Sequence, residues 1–336
     1  MTWKRRAWLQ PASPGGGRAE ATPYVWLALG VLLQFSAFGQ VLTNTSRGVV
    51  VAHDRRMELV GGWTVDGVQN ATMIVAGGDR VVVLDALHNE AVVVELANGR
   101  SKRMKTAETP IDAAFVNGRL YILARDARLL NDMPLQADML EEANGKLYAY
   151  SRVTGLLHEI GGRTFRLKPF AADLELDGTT AYLTYPREAR VRTVDLTSGV
   201  IGEVAVGAVP VDLAFAGGGT ALSARILAVA DPSAKRVWLT ESTQSTAAAV
   251  GRGFLRGVLG LGLFGDRASQ FPTGVDRVET KGRLWIAYDS SSGTLYHFDR
   301  KQSRVLARNL APHAFALTEN GVAWWNGTSV AEKRLR

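Results

Sequence analysis

The chain of 336 residues contains no cysteine. This absence excludes disulfide bonds, thiolate metal ligands and a cysteine nucleophile. Histidine is scarce, and none of its five residues shows the His-x-x-x-His spacing of a helical metal site. The sequence also has no phosphate-binding loop, dinucleotide fingerprint or Gly-x-Ser-x-Gly nucleophile elbow. These absences disfavour the common nucleotide-binding and serine-hydrolase classes of enzyme.

Long hydrophobic runs are missing as well. The apolar run from Tyr24 to Phe38 has about 15 residues, which is short for a membrane-spanning helix and typical of a signal-peptide core. Lys4-Arg5-Arg6 precedes it, and Ala37-Phe38-Gly39 places small residues around a cleavage site. The sequence therefore predicts a signal peptide over residues 1–39 and a periplasmic or secreted mature protein. An uncleaved N-terminal anchor is the alternative. Because Arg5-Arg6 resembles a twin-arginine signal, the export route is left open between the general secretory and the twin-arginine pathway.

Positive charge is concentrated in the same N-terminal segment. The formal charge of +7 falls to +4 without residues 1–39, because 35 basic residues then face 31 acidic ones. The remaining basic residues are scattered, apart from the cluster Arg100-Ser-Lys-Arg-Met-Lys105. We interpret this cluster as the solvated face of an outer strand, and we predict no binding of nucleic acid.

A short motif, a proline followed by an apolar stretch, recurs along the rest of the chain. Its prolines are 59, 41, 62 and 40 residues apart, and they are Pro110, Pro169, Pro210, Pro272 and Pro312. The short gaps indicate a unit of 40–41 residues, and the long gaps indicate insertions at about 129–144 and 246–270. Four short strands in a unit of this length are typical of a β-propeller blade.

The predicted fold is all-β, a single domain over residues 40–336 with four-stranded antiparallel blades. The length of the chain favours six blades, with seven as the alternative. The last unit lacks strands, and the stretch Gly48-Val-Val-Val-Ala52 before the first unit could supply them. We therefore expect an N-terminal strand to close the last blade, because this removes both edges of the ring.

Two segments carry a resemblance to a known family. Val206-Gly-Ala-Val-Pro210 and Val194-Asp-Leu-Thr-Ser-Gly199-Val-Ile201 resemble the repeats of YVTN/NHL-type propellers, which are related to the quinoprotein-like propellers. The resemblance extends over about residues 48–336. It implies the propeller fold and leaves the function open, since such propellers serve as enzymes, cofactor holders and binding scaffolds.

Aspartates recur near the start of the innermost strand in four of the five predicted units. They are Asp112, Asp173, Asp212 and Asp276. One interpretation is a ring of carboxylates at the channel mouth that holds Ca²⁺ or another divalent cation. The other, which we favour, is that each Asp caps main-chain N–H groups in the loop that enters its blade.

One histidine, His313, follows the repeat proline at the predicted channel mouth. Together with Asp112, Asp212 or Glu175 it could form a general acid/base set, because imidazole and carboxylate can exchange protons near neutral pH. A solvated or packed histidine in a loop is the commoner situation. His313 and Glu175 are therefore weak catalytic candidates.

The second predicted insertion contains apolar residues at helical spacing between basic ones. Candidate partner-binding residues are Phe254, Leu255, Val258, Leu259 and Phe264. The loop 251–265 could dock on a protein or on a membrane surface. Alternatively, it could pack as a flap over the channel mouth. The first insertion, 129–144, is acidic and is expected to contain a short helix.

The function predicted from these features is an exported, non-catalytic scaffold that binds a protein partner or a small ligand at one propeller face. The absence of a recognisable catalytic constellation favours this prediction. The alternative is a propeller hydrolase or lyase with a cation-assisted site in the central channel.

Overall fold

The structure, a computed structural model, describes residues 40–206, 209–216, 226–241, 267–282, 284–299 and 302–335. In these ranges the chain forms eight antiparallel sheets, and the strands within each sheet follow one another in the sequence. Seven sheets have four strands and the eighth has three. We number them as blades 1–8 in chain order.

The first four blades occupy residues 41–166. Blade 1 contains β1 (Val41–Thr45), β2 (Gly48–His53), β3 (Arg56–Leu59) and β4 (Thr64–Asp66). Blade 2 contains β5 (Met73–Gly77), β6 (Arg80–Asp85), β7 (Glu90–Glu95) and β8 (Ser101–Lys105). Blade 3 contains β9 (Pro110–Val116), β10 (Arg119–Ala124), β11 (Leu129–Leu130) and β12 (Met133–Pro134). Blade 4 contains β13 (Met139–Ala143), β14 (Lys146–Tyr150), β15 (Leu156–Glu159) and β16 (Thr164–Arg166).

The other four blades follow in the same order. Blade 5 contains β17 (Leu174–Asp177), β18 (Thr180–Tyr185), β19 (Arg190–Asp195) and β20 (Ile201–Ala205), with a short 3₁₀ helix (Pro186–Glu188) between β18 and β19. Blade 6 contains β21 (Asp212–Ala216), β22 (Ile226–Asp231), β23 (Arg236–Glu241) and β24 (Arg267–Gln270). Blade 7 contains β25 (Arg277–Lys281), β26 (Leu284–Asp289), β27 (Thr294–Phe298) and β28 (Ser303–Ala307). Blade 8 contains β29 (Phe315–Leu317), β30 (Gly321–Trp325) and β31 (Val330–Arg334).

The blades form a closed ring through their first strands. Each first strand contacts the first strand of the next blade, and β29 of blade 8 contacts β1 of blade 1. At this junction the main-chain N–H of Leu42 donates to the carbonyl oxygen of His313 at 3.0 Å. The chain is therefore a β-propeller whose first and last described blades are neighbours.

The core consists of apolar layers between successive blades. Met73 and Leu84 of blade 2, for example, pack in one cluster with Ala113 and Ile122 of blade 3. Since both faces of each sheet are covered in this way, the second strands are apolar along their length rather than alternating. In β26 all six residues are buried, whereas all five residues of the outer strand β8 are exposed.

The prediction of six or seven blades is wrong, because the structure has eight. The blades are shorter than the predicted unit. Their first strands begin 29 to 38 residues apart, except for the 65 residues between Asp212 and Arg277. A unit of 40–41 residues therefore counts too few blades along the same chain.

Closure by an N-terminal strand is also wrong. Strand β1 does not join β31 in the sheet of blade 8, and instead begins blade 1 with β2, β3 and β4. Local pairing explains this, because a short turn connects β1 directly to β2 and brings Thr45 opposite Gly48. The ring is closed by packing of blade 1 against blade 8.

The segment 129–144, predicted as an insertion with a short helix, is composed of strands. It holds β11 and β12 of blade 3 and β13, the first strand of blade 4. The turn after β13 explains the hairpin, since Asn144 and Gly145 both have positive φ, of 53° and 73°. Asn-Gly in this conformation matches the twist of a two-residue hairpin.

The predicted insertion at 246–270 overlaps β24 at residues 267–270, and its residues 246–266 lie outside the described residues. The predicted signal peptide, residues 1–39, also lies outside them. In the described part of the chain, no helix has the length and apolar character needed to cross a membrane.

Candidate functional site

Three of the four aspartates predicted for the channel mouth bind the main chain of the following blade. Asp112 Oδ2 accepts the N–H of Leu140 at 2.7 Å. Asp173 Oδ2 accepts the N–H of Leu213 at 3.1 Å. In the same way, Asp212 Oδ2 accepts the N–H of Val278 at 2.7 Å. Each carboxylate therefore connects the start of one blade to the first strand of the next.

The fourth aspartate has a different position and a different role. Asp276 accepts the N–H of Ser290 at 3.0 Å and also contacts the Ser290 hydroxyl, so it binds within its own blade. Asp138 makes the equivalent bond in blade 4, from the N–H of Arg152 at 2.7 Å. Asp276 is thus one step earlier in its strand than Asp212.

These contacts support the interpretation that the aspartates cap main-chain groups. The N–H groups of Leu140, Leu213 and Val278, which these carboxylates cap, belong to the neighbouring blade and not to the loop that enters the same blade. Among the residues that the structure describes, no group of three or more His, Asp or Glu side chains has the arrangement of a metal site. Binding of Ca²⁺ stays a prediction.

The structure places His313 against Arg277, not against the predicted carboxylates. Arg277 Nη1 lies 3.0 Å from His313 Nδ1, and because a guanidinium has no acceptor, Nδ1 is the acceptor. Arg277 Nη2 also lies 3.1 Å from Glu279 Oε1. The other weak candidate, Glu175, is on β17 in blade 5, with blades 6 and 7 between it and His313.

The basic cluster at residues 100–105 does form an outer strand, as the sequence predicts. It is β8, the last strand of blade 2, and its five side chains are all exposed. The strand also forms one wall of a cleft that the sequence does not reveal. This cleft, between blades 2 and 3, encloses about 600 Å³ and is called the blade 2–3 cleft below.

The cleft exists because blade 3 is narrow at its periphery. Strands β11 and β12 have two residues each, whereas β7 and β8 of blade 2 have six and five. The outer half of blade 2 therefore extends beyond the sheet that would cover it. Apolar side chains from both blades form part of the lining, and they are Val93, Met104, Leu120 and Ile122.

The charged lining of the cleft is mostly basic. Four cations face two carboxylates, Glu95 and Asp132, and the cations are Arg80, Arg100, Lys102 and Lys105. Arg80 also lies over the Phe115 ring, with its guanidinium carbon 5.2 Å from the ring centroid.

Two of the basic side chains on β8 share one carboxylate. Lys105 Nζ and Arg103 Nη1 lie 2.8 Å and 2.9 Å from Glu90, and these hydrogen bonds hold the pKa of the Glu90 carboxyl below its ordinary value. Arg100 and Lys102 have no ion-pair partner among the residues that the structure describes. These two side chains leave positive charge on the strand that is not neutralised nearby.

A smaller depression lies on the other side of the ring, at the junction of blades 7 and 8. It encloses about 440 Å³, and Arg308, Trp324 and Trp325 are among its lining residues. Behind it the His53 and Trp325 rings pack at 4.0 Å between centroids. The predicted partner-binding residues, in contrast, lie outside the described residues; they are Phe254, Leu255, Val258, Leu259 and Phe264.

The residues of the blade 2–3 cleft are the ones that sequence reasoning missed. The basic run at 100–105 was the available signal, and it marks only one wall. The other wall depends on the shortness of β11 and β12, which no composition or spacing in the sequence predicts.

No protein-family model matches the chain, and no curated protein matches it by sequence. Solved structures do match its fold. Kluyveromyces lactis Hsv2 is 10% identical with a TM-score of 0.55, over 81% of this chain and 99% of that chain. The computationally designed Ika8 protein is 10% identical with a TM-score of 0.54, over 88% of this chain and 100% of that one. Kuenenia stuttgartiensis hydrazine synthase is 13% identical with a TM-score of 0.50, over 80% and 98%.

These likenesses show the fold. The chain is a β-propeller. At such low identities they carry no information on activity, ligand or partner. The more specific assignment to the YVTN/NHL repeat type stays a prediction.

Proposed function

We propose that this β-propeller is a non-catalytic binding scaffold, and that it binds a protein partner at the blade 2–3 cleft. The observation that carries the proposal is the combination of apolar floor and basic rim in one cleft of about 600 Å³. Protein-binding surfaces commonly have an apolar centre within a polar border. Charged rims of this kind also increase the rate and the specificity of association.

The use of the channel-mouth carboxylates supports a scaffold rather than an enzyme. Asp112 and Asp173 are both 2% exposed, and each accepts a main-chain N–H of the next blade. A general acid or base must reach the substrate with its reactive oxygen. These two side chains instead stabilise the junctions between blades.

The shape of the cleft favours a protein segment over a nucleic acid. Three of its four basic residues lie on or directly before one short strand, β8, and two carboxylates, Glu95 and Asp132, also line the cleft. Binding of a nucleic-acid backbone requires cations along a path of several phosphates. The proposal includes export, which is supported by Lys4-Arg5-Arg6 and by the apolar run from Tyr24 to Phe38.

Site-specific cross-linking in the native cell tests this proposal. A photo-reactive amino acid replaces Lys102 in the full chain, and the matched control carries it at Arg304, an exposed position on the outer strand β28 of blade 7. We expect a discrete protein adduct from position 102 and none from position 304. Equal adducts at both positions, or none at either, would contradict binding at the cleft.

A further inference from the structure

We propose that the partner contributes an extended acidic segment, which pairs with the free edge of β8 and places apolar side chains in the blade 2–3 cleft. This inference rests on the proposed binding function and specifies the chemistry of the partner. The occupant would be a fifth strand of blade 2. Addition of a strand to an exposed sheet edge is a common way for proteins to bind peptides.

The main chain of β8 offers an edge for such pairing. Glu95 N–H donates to Arg100 C=O at 2.9 Å, and Thr106 N–H donates to Asn89 C=O at 2.8 Å. In an antiparallel ladder the hydrogen-bonded residues alternate, so the even-numbered residues of β8 pair with β7. The N–H and C=O groups of Ser101, Arg103 and Lys105 consequently point away from the sheet.

The side chains of β8 define what an added strand would meet. Lys102 is opposite Val93 and Met104 is opposite Ala91, on the face that forms the cleft. Every second side chain of an added strand would point to the same face. Met104 is 39% exposed and would be covered by these side chains, so we expect apolar residues at the cleft-facing positions beside Met104.

Charge complementarity identifies the segment as acidic. The cleft has four basic residues and two acidic ones, and Arg100 and Lys102 lack ion-pair partners among the described residues. The chain's own N-terminal segment does not meet this requirement, because residues 1–39 have four basic residues and one acidic residue. Carboxylates at the other positions on the cleft face, beside Arg100 and Lys102, would meet it.

Several other outer strands in the described part of the ring are less suited to the same pairing. Strands β4, β16 and β12 have only three, three and two residues. Strand β28 is as long as β8, but the hydroxyl of Ser303 at its start donates a hydrogen bond to the carbonyl oxygen of Gln270 in blade 6. Strand β8 combines length, full exposure and an adjacent cleft.

Peptide binding to the full chain tests the inference. The probe is a fluorescent octapeptide with the sequence Glu-Thr-Glu-Thr-Val-Thr-Val-Thr, in which two glutamates and two valines share one face of the strand, and its binding is measured by anisotropy. The comparison peptide has lysine in place of glutamate. We expect the acidic peptide to bind and the basic peptide to bind at least tenfold more weakly. Raising NaCl from 50 to 500 mM should weaken the acidic peptide's binding severalfold, since surface ion pairs are screened.

Two variants test separately how the charge of the cleft and the main-chain pairing at the β8 edge contribute to peptide binding. Lys102→Glu should weaken binding at least tenfold by reversing one charge of the cleft. Ser101→Pro should do the same by removing an N–H that points away from β7, which leaves the ladder within blade 2 intact. Val305→Pro is the control, because the Asp299 N–H bond to Gln302 C=O places Val305 at the corresponding outward position of β28. Arg304→Glu is the matched charge control, and both controls should leave binding unchanged.

The outcomes distinguish this inference from the proposed function. Should Ser101→Pro not fold, an octapeptide N-methylated at alternate residues tests the same pairing on the unmodified chain. The acidic-segment inference would be overturned by any of three results. The first is full binding of both N-methylated peptides, one methylated at odd and the other at even residues. The others are equal binding of the acidic and basic peptides, and a dimer that Ser101→Pro dissociates. A protein adduct at position 102 without acidic-peptide binding would leave the scaffold proposal standing and overturn this one.

Discussion

Buried aspartates are the repeated stabilising device at the innermost strands. Asp112 is 2% exposed and accepts two main-chain bonds, from its neighbour Ala113 at 2.8 Å and from Leu140 in the next blade at 2.7 Å. A buried N–H that loses its acceptor is costly, because no water replaces the bond. Each such aspartate therefore stabilises a junction between two blades as well as its own strand.

Removal of one of these carboxylates should destabilise the whole ring. We expect Asp112→Ala to lower the free energy of unfolding by about 2–3 kcal/mol, since it leaves the Leu140 N–H without its charged acceptor. Urea denaturation followed by tryptophan fluorescence measures this difference. Asp79→Ala is the control, because the Asp79 side chain is 86% exposed and its loss should change little. A loss below about 0.5 kcal/mol for Asp112→Ala would contradict the capping role.

The same aspartates provide a test of the cation hypothesis. If they act as caps, addition of Ca²⁺ or EDTA should leave the Tm of the protein unchanged. A Ca²⁺-dependent rise in Tm that Asp173→Ala and Asp276→Ala abolish would instead support a cation at the channel mouth. Differential scanning fluorimetry is sufficient for this comparison.

A partly buried histidine should make stability depend on pH. Burial lowers the pKa of His297, and the Arg304 guanidinium acts in the same direction. The unfolded chain therefore binds a proton more readily than the folded one below a pH of about 6.5. Stability should fall as the pH falls from 7.5 to 5.5. In His297→Gln this fall should be smaller, and an unchanged fall in urea titrations at the two pH values would contradict the assignment.

At the scale of single elements, the turn residues fix the hairpins. Asn117-Gly118 connects β9 to β10 and Asn144-Gly145 connects β13 to β14, all four residues with positive φ. This pair is the strongest short signal for a hairpin. Asn144-Gly145 lies at the end of the segment that the sequence analysis treats as an insertion, so the signal for blade 4 was present in the sequence.

A glycine at the start of β30 should be essential for blade 8. Gly321 is opposite Arg334, and a Cβ atom at Gly321 would lie only 2.0 Å from the carbonyl oxygen of Lys333. We expect Gly321→Ala to cost about 1–3 kcal/mol, because the main chains of β30 and β31 must separate to admit the methyl group. Hydrogen exchange should show the lost protection first in β31. Protection equal to that of the unmodified chain would contradict this close approach.

Strand β8 illustrates how far the sequence can describe an element. Its cluster of basic residues predicts exposure on an outer strand, which the structure confirms. The cleft beside it depends on blade 3, whose outer strands have two residues each. A strand's own residues do not report the length of a strand in the neighbouring sheet, so the cleft required the structure.

At the scale of the molecule, the sequence predicts the architecture but not the number of blades. The repeated strands and turns correctly predict four-stranded antiparallel blades in a ring. The number of proline-led motifs does not give the number of blades, because three blades lack the motif. The first strands of blades 1, 2 and 4 begin with Val41, Met73 and Met139. Contacts between blades, such as Asp112 with Leu140, join residues from separate hairpins and have no periodic signature in the sequence.

Ring closure gives the prediction that belongs to this scale. Deletion of residues 40–66 removes blade 1 and leaves a gap between β5 of blade 2 and β29 of blade 8, both of which contact β1. We expect the deletion to abolish cooperative thermal unfolding, because both neighbouring blades then expose apolar faces. Deletion of residues 1–39 is the control and should preserve it. A cooperative transition after the loss of residues 40–66 would show that the other blades close a smaller ring.

The narrow periphery of blade 3 also has a consequence for stoichiometry. Eight equivalent blades would offer eight equivalent positions around the rim, and a partner could occupy any of them. Two-residue outer strands occur in blade 3 and in no other blade of the described part of the ring, so the rim differs at this position. The ring therefore has a single position of this kind in its described part. A partner bound there would be held in one orientation, with one copy per propeller.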